Sequence, residues 1–148
     1  MAINVQGVGH VVLKVRNLER SVQFYGNVLG LKEVGRLGTT MAFFSAGDTH
    51  HDLAVLEVGA GAALPDGGAV GLYHVALKIG DDLEALRAAK AHLDAHGVEV
   101  LALREHRVSQ SIYLNDPDGN GLELFVDADP ALWREDPSRV ATTEPLEL

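Results

Sequence analysis

Cysteine is absent from the 148 residues, which excludes disulfide scaffolds, thiolate metal centres and Cys nucleophiles together. Basic residues are scarce. Twelve Lys and Arg stand against 21 Asp and Glu, a formal net charge of −9, so the basic stripe that nucleic-acid binding requires is missing. No apolar run approaches the ~20 residues that span a bilayer, and no membrane partner is expected. The opening MAINVQGVGH lacks a basic stretch followed by an apolar one, so no signal peptide is read and the cytoplasm is the expected location. What remains is a chain that is 47% apolar, enough for a proper core, with seven His residues. Any borderline metal would then be held by imidazole and carboxylate.

An internal repeat organises the chain. Residues 7–15 read GVGHVVLKV and residues 71–79 read GLYHVALKI, an offset of 64. Each segment is a candidate strand followed by a helical pattern. Asn17 caps the first helix, with Leu18, Val22, Tyr25 and Leu29 on one face and Gly30 at its end. Asp81 or Asp82 starts the second, which carries Leu83, Leu86 and Leu93 and ends at Gly97. Three short strands follow each helix, at about 32–37, 40–47 and 52–59, and then 98–104, 110–114 and 121–126. The expected fold is α+β: two tandem βαβββ modules forming a curved, half-open mixed sheet around a metal site, with helices outside. Module 1 covers about 7–59 and module 2 covers 71–126, joined by a flexible linker at 60–70 within one duplicated domain, 1–126. Residues 127–148, with six acids, two bases and three Pro, read as an acidic, mostly irregular solvated strap.

The repeat also sorts the chemistry. His10 and His74 occupy equivalent positions, and Glu57 and Glu123 form a second pair at an offset of 66. A carboxylate between Leu122 and Leu124 is costly to bury unless it is paired or ligates a metal. Two imidazoles and one carboxylate with open positions suit a non-haem Fe(II) centre, and Mn(II), Ni(II) or Zn(II) also fit. His92 and His96 lie four apart on the second helix and read as its solvent face, while His50 has no assigned task.

The doubled unit, opened by GxGHVxLxV and closed by DPDGNGLEL, resembles the vicinal oxygen chelate superfamily over Gly7 to Val126. That group includes glyoxalase I, extradiol dioxygenases and the fosfomycin- and bleomycin-resistance proteins. The resemblance implies His10, His74 and Glu123 as metal ligands. His106 and Tyr113, followed by AspProAspGly and Glu123, are similar to the extradiol dioxygenase signature. Arg104 departs from it, standing where a small, β-branched or Asn residue is usual. HisHisAspLeuAla at 50–54 also resembles the dioxygenases, and alternation with Leu53, Val55 and Glu57 favours His51 over His50. The closing segment, with Trp133 and ThrGluProLeuGluLeu, is similar to small catechol-2,3-dioxygenase-like members.

The implied activity is ring cleavage of a catechol-type diol by O2. In it His106 and Tyr113 contact and help deprotonate the diol, and His51 faces the oxygen and serves as acid or base. A homodimer burying an exposed sheet or pocket edge is expected, because two-domain extradiol enzymes carry an additional module that is not read in this sequence. Two alternatives stand beside this. A glyoxalase I-type isomerase would use His10, Glu57, His74 and Glu123 as four ligands. A metal-free, drug-sequestering binding protein would need aromatic walls, and Phe, Tyr and Trp total only 5%.

Overall fold

The computed structural model describes residues 3–148; Met1 and Ala2 of the N-terminal reading lie outside it. By its internal contacts the chain divides into two compact units, Met1–Ala63 and Leu64–Leu148. The first contains β1 (Val11–Val15), α1 (Leu18–Val22) running on as a π-helical segment (Gln23–Val28), β2 (Lys32–Leu37), β3 (Met41–Ser45) and β4 (Leu53–Glu57). Its sheet order is β1-β4-β3-β2, with β1 parallel to β4 and the other pairs antiparallel. The second repeats the pattern with β5 (Val75–Gly80), α2 (Leu83–Ala95), β6 (Val100–Glu105), β7 (Ser109–Asn115) and β8 (Gly121–Asp127), in the order β5-β8-β7-β6. The fold is therefore α+β, with a βαβββ unit twice over.

The helix starts follow from their caps. Asn17 Oδ1 accepts from the Arg20 amide at 2.8 Å, and Asp82 Oδ1, not Asp81, accepts from the Ala85 amide at 2.9 Å. The first helix departs from the expected single face of Leu18, Val22, Tyr25 and Leu29. It widens after Val22, and the Leu29 amide reaches back five residues to the Phe24 carbonyl at 2.9 Å. Neighbouring Phe24 and Tyr25 are thereby both buried, edge to face at 5.2 Å, and Tyr25 packs on Phe44 at 6.0 Å. Burying two large rings outweighs the regular ladder.

Each sheet has a face covered by its helix and an opposite face. In β1, Leu13 and Val15 are buried while Val12 and Lys14 are exposed. Register carries that division across, since side chains paired across strands point the same way. Leu13 pairs with Val55 and Val15 with Glu57, on the helix side; Val12 pairs with Ala54 and Ala54 with Phe43, on the other. In the second unit Ile112, Leu122, Leu124 and Val126 pack under α2 with Leu86 and Leu93. The Ala76, Glu123 and Tyr113 row lies on the opposite face.

The C-terminal segment corrects the expected irregular strap. It forms α3 (Ala131–Glu135), a 3-10 turn (Pro137–Ala141) capped by Asp136, and β9 (Glu144–Pro145). β9 pairs antiparallel with β6, matching Arg104 to Pro145 and Glu105 to Glu144. An uncovered edge strand offers free amides and carbonyls, and this short extended segment satisfies part of them. Among the described residues no helix is long and apolar enough to cross a membrane.

Candidate metal centre and catalytic cavity

His74 immediately precedes β5, and Glu123 sits on β8 one register step beyond it, paired with Ala76. Their side chains meet: His74 Nε2 lies 3.0 Å from Glu123 Oε2. The other Glu123 oxygen, Oε1, accepts from the Ser111 hydroxyl at 2.5 Å. Ser111 is fully buried and Glu123 nearly so. Gly121 makes this closeness possible. A Cβ there would stand 2.5 Å from the Tyr73 carbonyl oxygen and 3.3 Å from His74 Cβ, so any side chain would push β5 away from β8.

The residues fit a metal on a structural observation as well as on donor chemistry. His74 Nδ1 is buried with no hydrogen-bond partner. That atom lies across the ring from Nε2, so the donor that would ligate beside Glu123 is Nε2. The 3.0 Å gap to Glu123 is about the separation of adjacent donors around a six-coordinate ion with bonds of ~2.1 Å. Both donors are nitrogen or oxygen, as a chain without Cys demands.

Beside this pair lies a hydrogen-bond relay. His106 Nδ1 donates to the Thr142 carbonyl at 2.7 Å, so in the neutral ring Nε2 is the acceptor, and it takes the Tyr113 hydroxyl proton's bond at 2.8 Å. Tyr113 stands directly across the ladder from Glu123, with its ring 5.5 Å from that of His74. Burial, and then the negative charge of Glu123, push the Tyr113 phenol up to about 12. Tyr113 is therefore a donor at neutral pH. His74, His106 and Tyr113 line one cavity of about 500 Å³, together with Tyr73, Arg104 and Thr143. The acidic segment thus supplies a cavity wall and the His106 anchor, which alternation and composition gave no means of seeing.

In the first unit, His10 immediately precedes β1 and is exposed. Its ring lies 4.3 Å from that of His51, which meets Phe43 edge-on at 5.3 Å and His50 at 4.5 Å. Phe43 belongs to the row opposite the helix, so His51 gathers on that side with His10. His51 is held below the ordinary histidine range, by burial first and then by neighbouring His10 and His50, with Asp52 opposing. Among the described residues no group of three or more His, Asp or Glu side chains is arranged so that it could hold a metal ion.

Glu57 needs correcting. The ladders match Val12 with Ala54 and Ala76 with Glu123, and Val12 and Ala76 are repeat equivalents at the 64-residue offset. Ala54, not Glu57, is therefore the register equivalent of Glu123. Glu57 lies on the helix side, where its Oε2 accepts from the Leu18 amide at 2.6 Å. The expected face shared by Leu53, Val55 and Glu57 exists but is the covered one, and His51 lies beyond the strand's start. His92 on α2 and His96 at its C-terminal cap are both exposed, and the His96 Nδ1 donates to the His92 carbonyl at 2.8 Å.

The Glyoxalase/Bleomycin resistance protein/Dioxygenase superfamily model matches residues 7–124. The chain is 39% identical over 133 residues to a catechol-2,3-dioxygenase of Bacillus subtilis, covering 87% of this chain and 44% of that protein. It thus spans under half the length of that curated relative. It is 33% identical over 124 residues to a lactoylglutathione lyase of Neisseria meningitidis, covering 78% of this chain and 87% of the lyase. Among solved structures, a glyoxylase/bleomycin resistance protein/dioxygenase domain from Frankia sp. EAN1pec superposes with a TM-score of 0.69 at 25% identity, covering 84% of this chain and 99% of that one.

Proposed function

The chain belongs to the Glyoxalase/Bleomycin resistance protein/Dioxygenase superfamily, and we propose that it is an extradiol dioxygenase that opens the ring of a catechol-type diol with O2. The observation that carries this reading is that His74, in contact with Glu123, lines one cavity with the hydrogen-bonded pair Tyr113 and His106, the latter anchored by the Thr142 carbonyl. His10 joins His74 and Glu123 as the third proposed ligand because it is the repeat equivalent of His74. Fe(II) is the proposed metal, with Mn(II), Ni(II) and Zn(II) as alternatives. An ion held by these residues would supply Lewis acidity for lowering the diol's proton affinity and for activating O2.

The protein's own groups divide the proton work. His106 Nε2 is the acceptor for a diol proton, because Thr142 fixes the proton on Nδ1. Tyr113, with its phenol pushed up to about 12, keeps its proton, and on diol binding its hydroxyl turns from His106 Nε2 to donate to the diol oxygen, which frees Nε2 to accept. His51, held low, is neutral near pH 7 and is the proposed acid–base on the oxygen side. The sum is diol plus O2 giving a ring-opened hydroxymuconic semialdehyde type of acid, with both oxygen atoms retained and no external reductant. A homodimer in the cytoplasm remains the proposed setting, and residues 1–126 the proposed duplicated domain.

The isomerase reading takes support from the lactoylglutathione lyase likeness, but its fourth ligand, Glu57, is engaged with the start of α1. Anaerobic loading with Fe(II), addition of a catechol panel and admission of air separates the readings. Oxygen uptake with a yellow product is expected. No uptake, together with methylglyoxal–glutathione turnover on Ni(II) or Zn(II), would overturn the dioxygenase.

A further inference from the structure

Ring cleavage as described leaves Arg104 without a task. Its place opposite Ser111, two residues along β6 from the partner of Tyr113, puts it on the same sheet face as Tyr113. Its half-buried side chain lines the cavity with His74, His106 and Tyr113. The guanidinium's hydrogen bond goes to the Leu103 backbone carbonyl at 3.1 Å, and among the described residues it forms no ion pair.

That isolation does not come from a shortage of acids, since the chain has 21. The nearby ones are committed elsewhere. Glu105 accepts from the Arg107 amide and the Gln110 side chain, Glu144 pairs with Arg107, and Glu123 is held by Ser111 and His74. A partly desolvated cation without an anion is costly, and a guanidinium presents a fork of donors that matches a carboxylate. The cavity, about 500 Å³ and bordered by Tyr73, Leu101 and Ala102 beside the polar groups, suits a single substituted ring.

We propose that Arg104 is a specificity-determining residue that binds a carboxylate on the substrate, so that the preferred diol is an aromatic acid and not plain catechol. This rests on the ring-cleavage reading, and it deepens it.

The test is anaerobic calorimetry of the metal-loaded protein with 3,4-dihydroxybenzoate and with neutral 4-methylcatechol, on wild type, Arg104→Met and Arg104→Lys. Melting curves and circular dichroism check that each variant is folded. A preference for the carboxylate of about 10- to 100-fold is expected in wild type. It should vanish in Arg104→Met and partly survive in Arg104→Lys. No preference in wild type, or one that persists in folded Arg104→Met, would overturn the assignment. Oxygen uptake on the same two diols is read separately. Arg104-dependent carboxylate binding without uptake supports the anion site while removing the reaction. Uptake without a carboxylate preference does the reverse.

Discussion

Replacing Ser111 with Ala tests the proposed metal centre through a residue that touches no proposed substrate. The Ser111 hydroxyl donates to Glu123 Oε1 at 2.5 Å, and both side chains are buried. Removing the donor takes away the Ser111 hydrogen bond on Oε1, while Oε2 faces His74. Hydrogen bonds to charged groups are worth roughly 1.5–3 kcal/mol. Part of that loss falls on the metal-free fold, which also contains the bond, and part on the metal complex, where Glu123 must be held at the angle His74 requires. Outer partners of this kind typically govern about 10- to 100-fold in metal affinity. Ser111→Ala is thus expected to weaken Mn(II) or Fe(II) binding by about that factor, with melting in the metal-free state lowered as well. Competitive titration against a fluorescent chelator reads the affinity, and calorimetric melting reads the stability. An affinity within twofold of wild type would refute the positioning argument, whatever the melting temperature does.

Other residues give sharper contrasts. Glu57→Gln should cost about 0.3–1 kcal/mol of stability, through weaker support of the α1 start, and leave metal stoichiometry and oxygen uptake as in wild type; loss of one metal equivalent would restore the four-ligand reading. Deleting residues 142–148 removes the carbonyl that anchors His106 together with β9, so kcat should fall while metal affinity holds; an unchanged kcat would show that His106 needs no anchor. The Tyr113 phenol, pushed up from an ordinary value near 10 to about 12, keeps its proton more tightly folded than unfolded. Its contribution is fully present below about pH 10 and is lost as pH rises through about 12. Ultraviolet titration of the metal-free protein should show that late phenol disappearing in Tyr113→Phe, and an unchanged late transition would contradict it.

Local signals carried much of this structure, and the misses have physical causes. β2 coincides with the expected strand at 32–37, and Asn17 caps α1 as its side chain suggests. Strand alternation reports that Leu53, Val55 and Glu57 share a face, but not which face the helix covers. Residue offset alone therefore matches Glu57 to Glu123, whereas ladder register matches Ala54 to it. Ser111 alternates with Tyr113 on one strand, yet nothing local marks a Ser as the donor to a carboxylate twelve residues on. Thr142 acts through its backbone carbonyl, which no side-chain pattern reveals. The π-helical turn at Gln23–Val28 is likewise a tertiary outcome, set by burying Phe24 and Tyr25 together.

The most direct test of the central claim is the fate of labelled oxygen. The Fe(II)-loaded protein is mixed anaerobically with a catechol, exposed to oxygen-18 gas, and the ring-opened product is weighed by mass spectrometry. Ring cleavage by the His74–Glu123 centre predicts a product carrying both labelled atoms, formed in wild type and absent from Glu123→Gln. A product with one labelled atom or none, or equal yield from Glu123→Gln, would contradict the account.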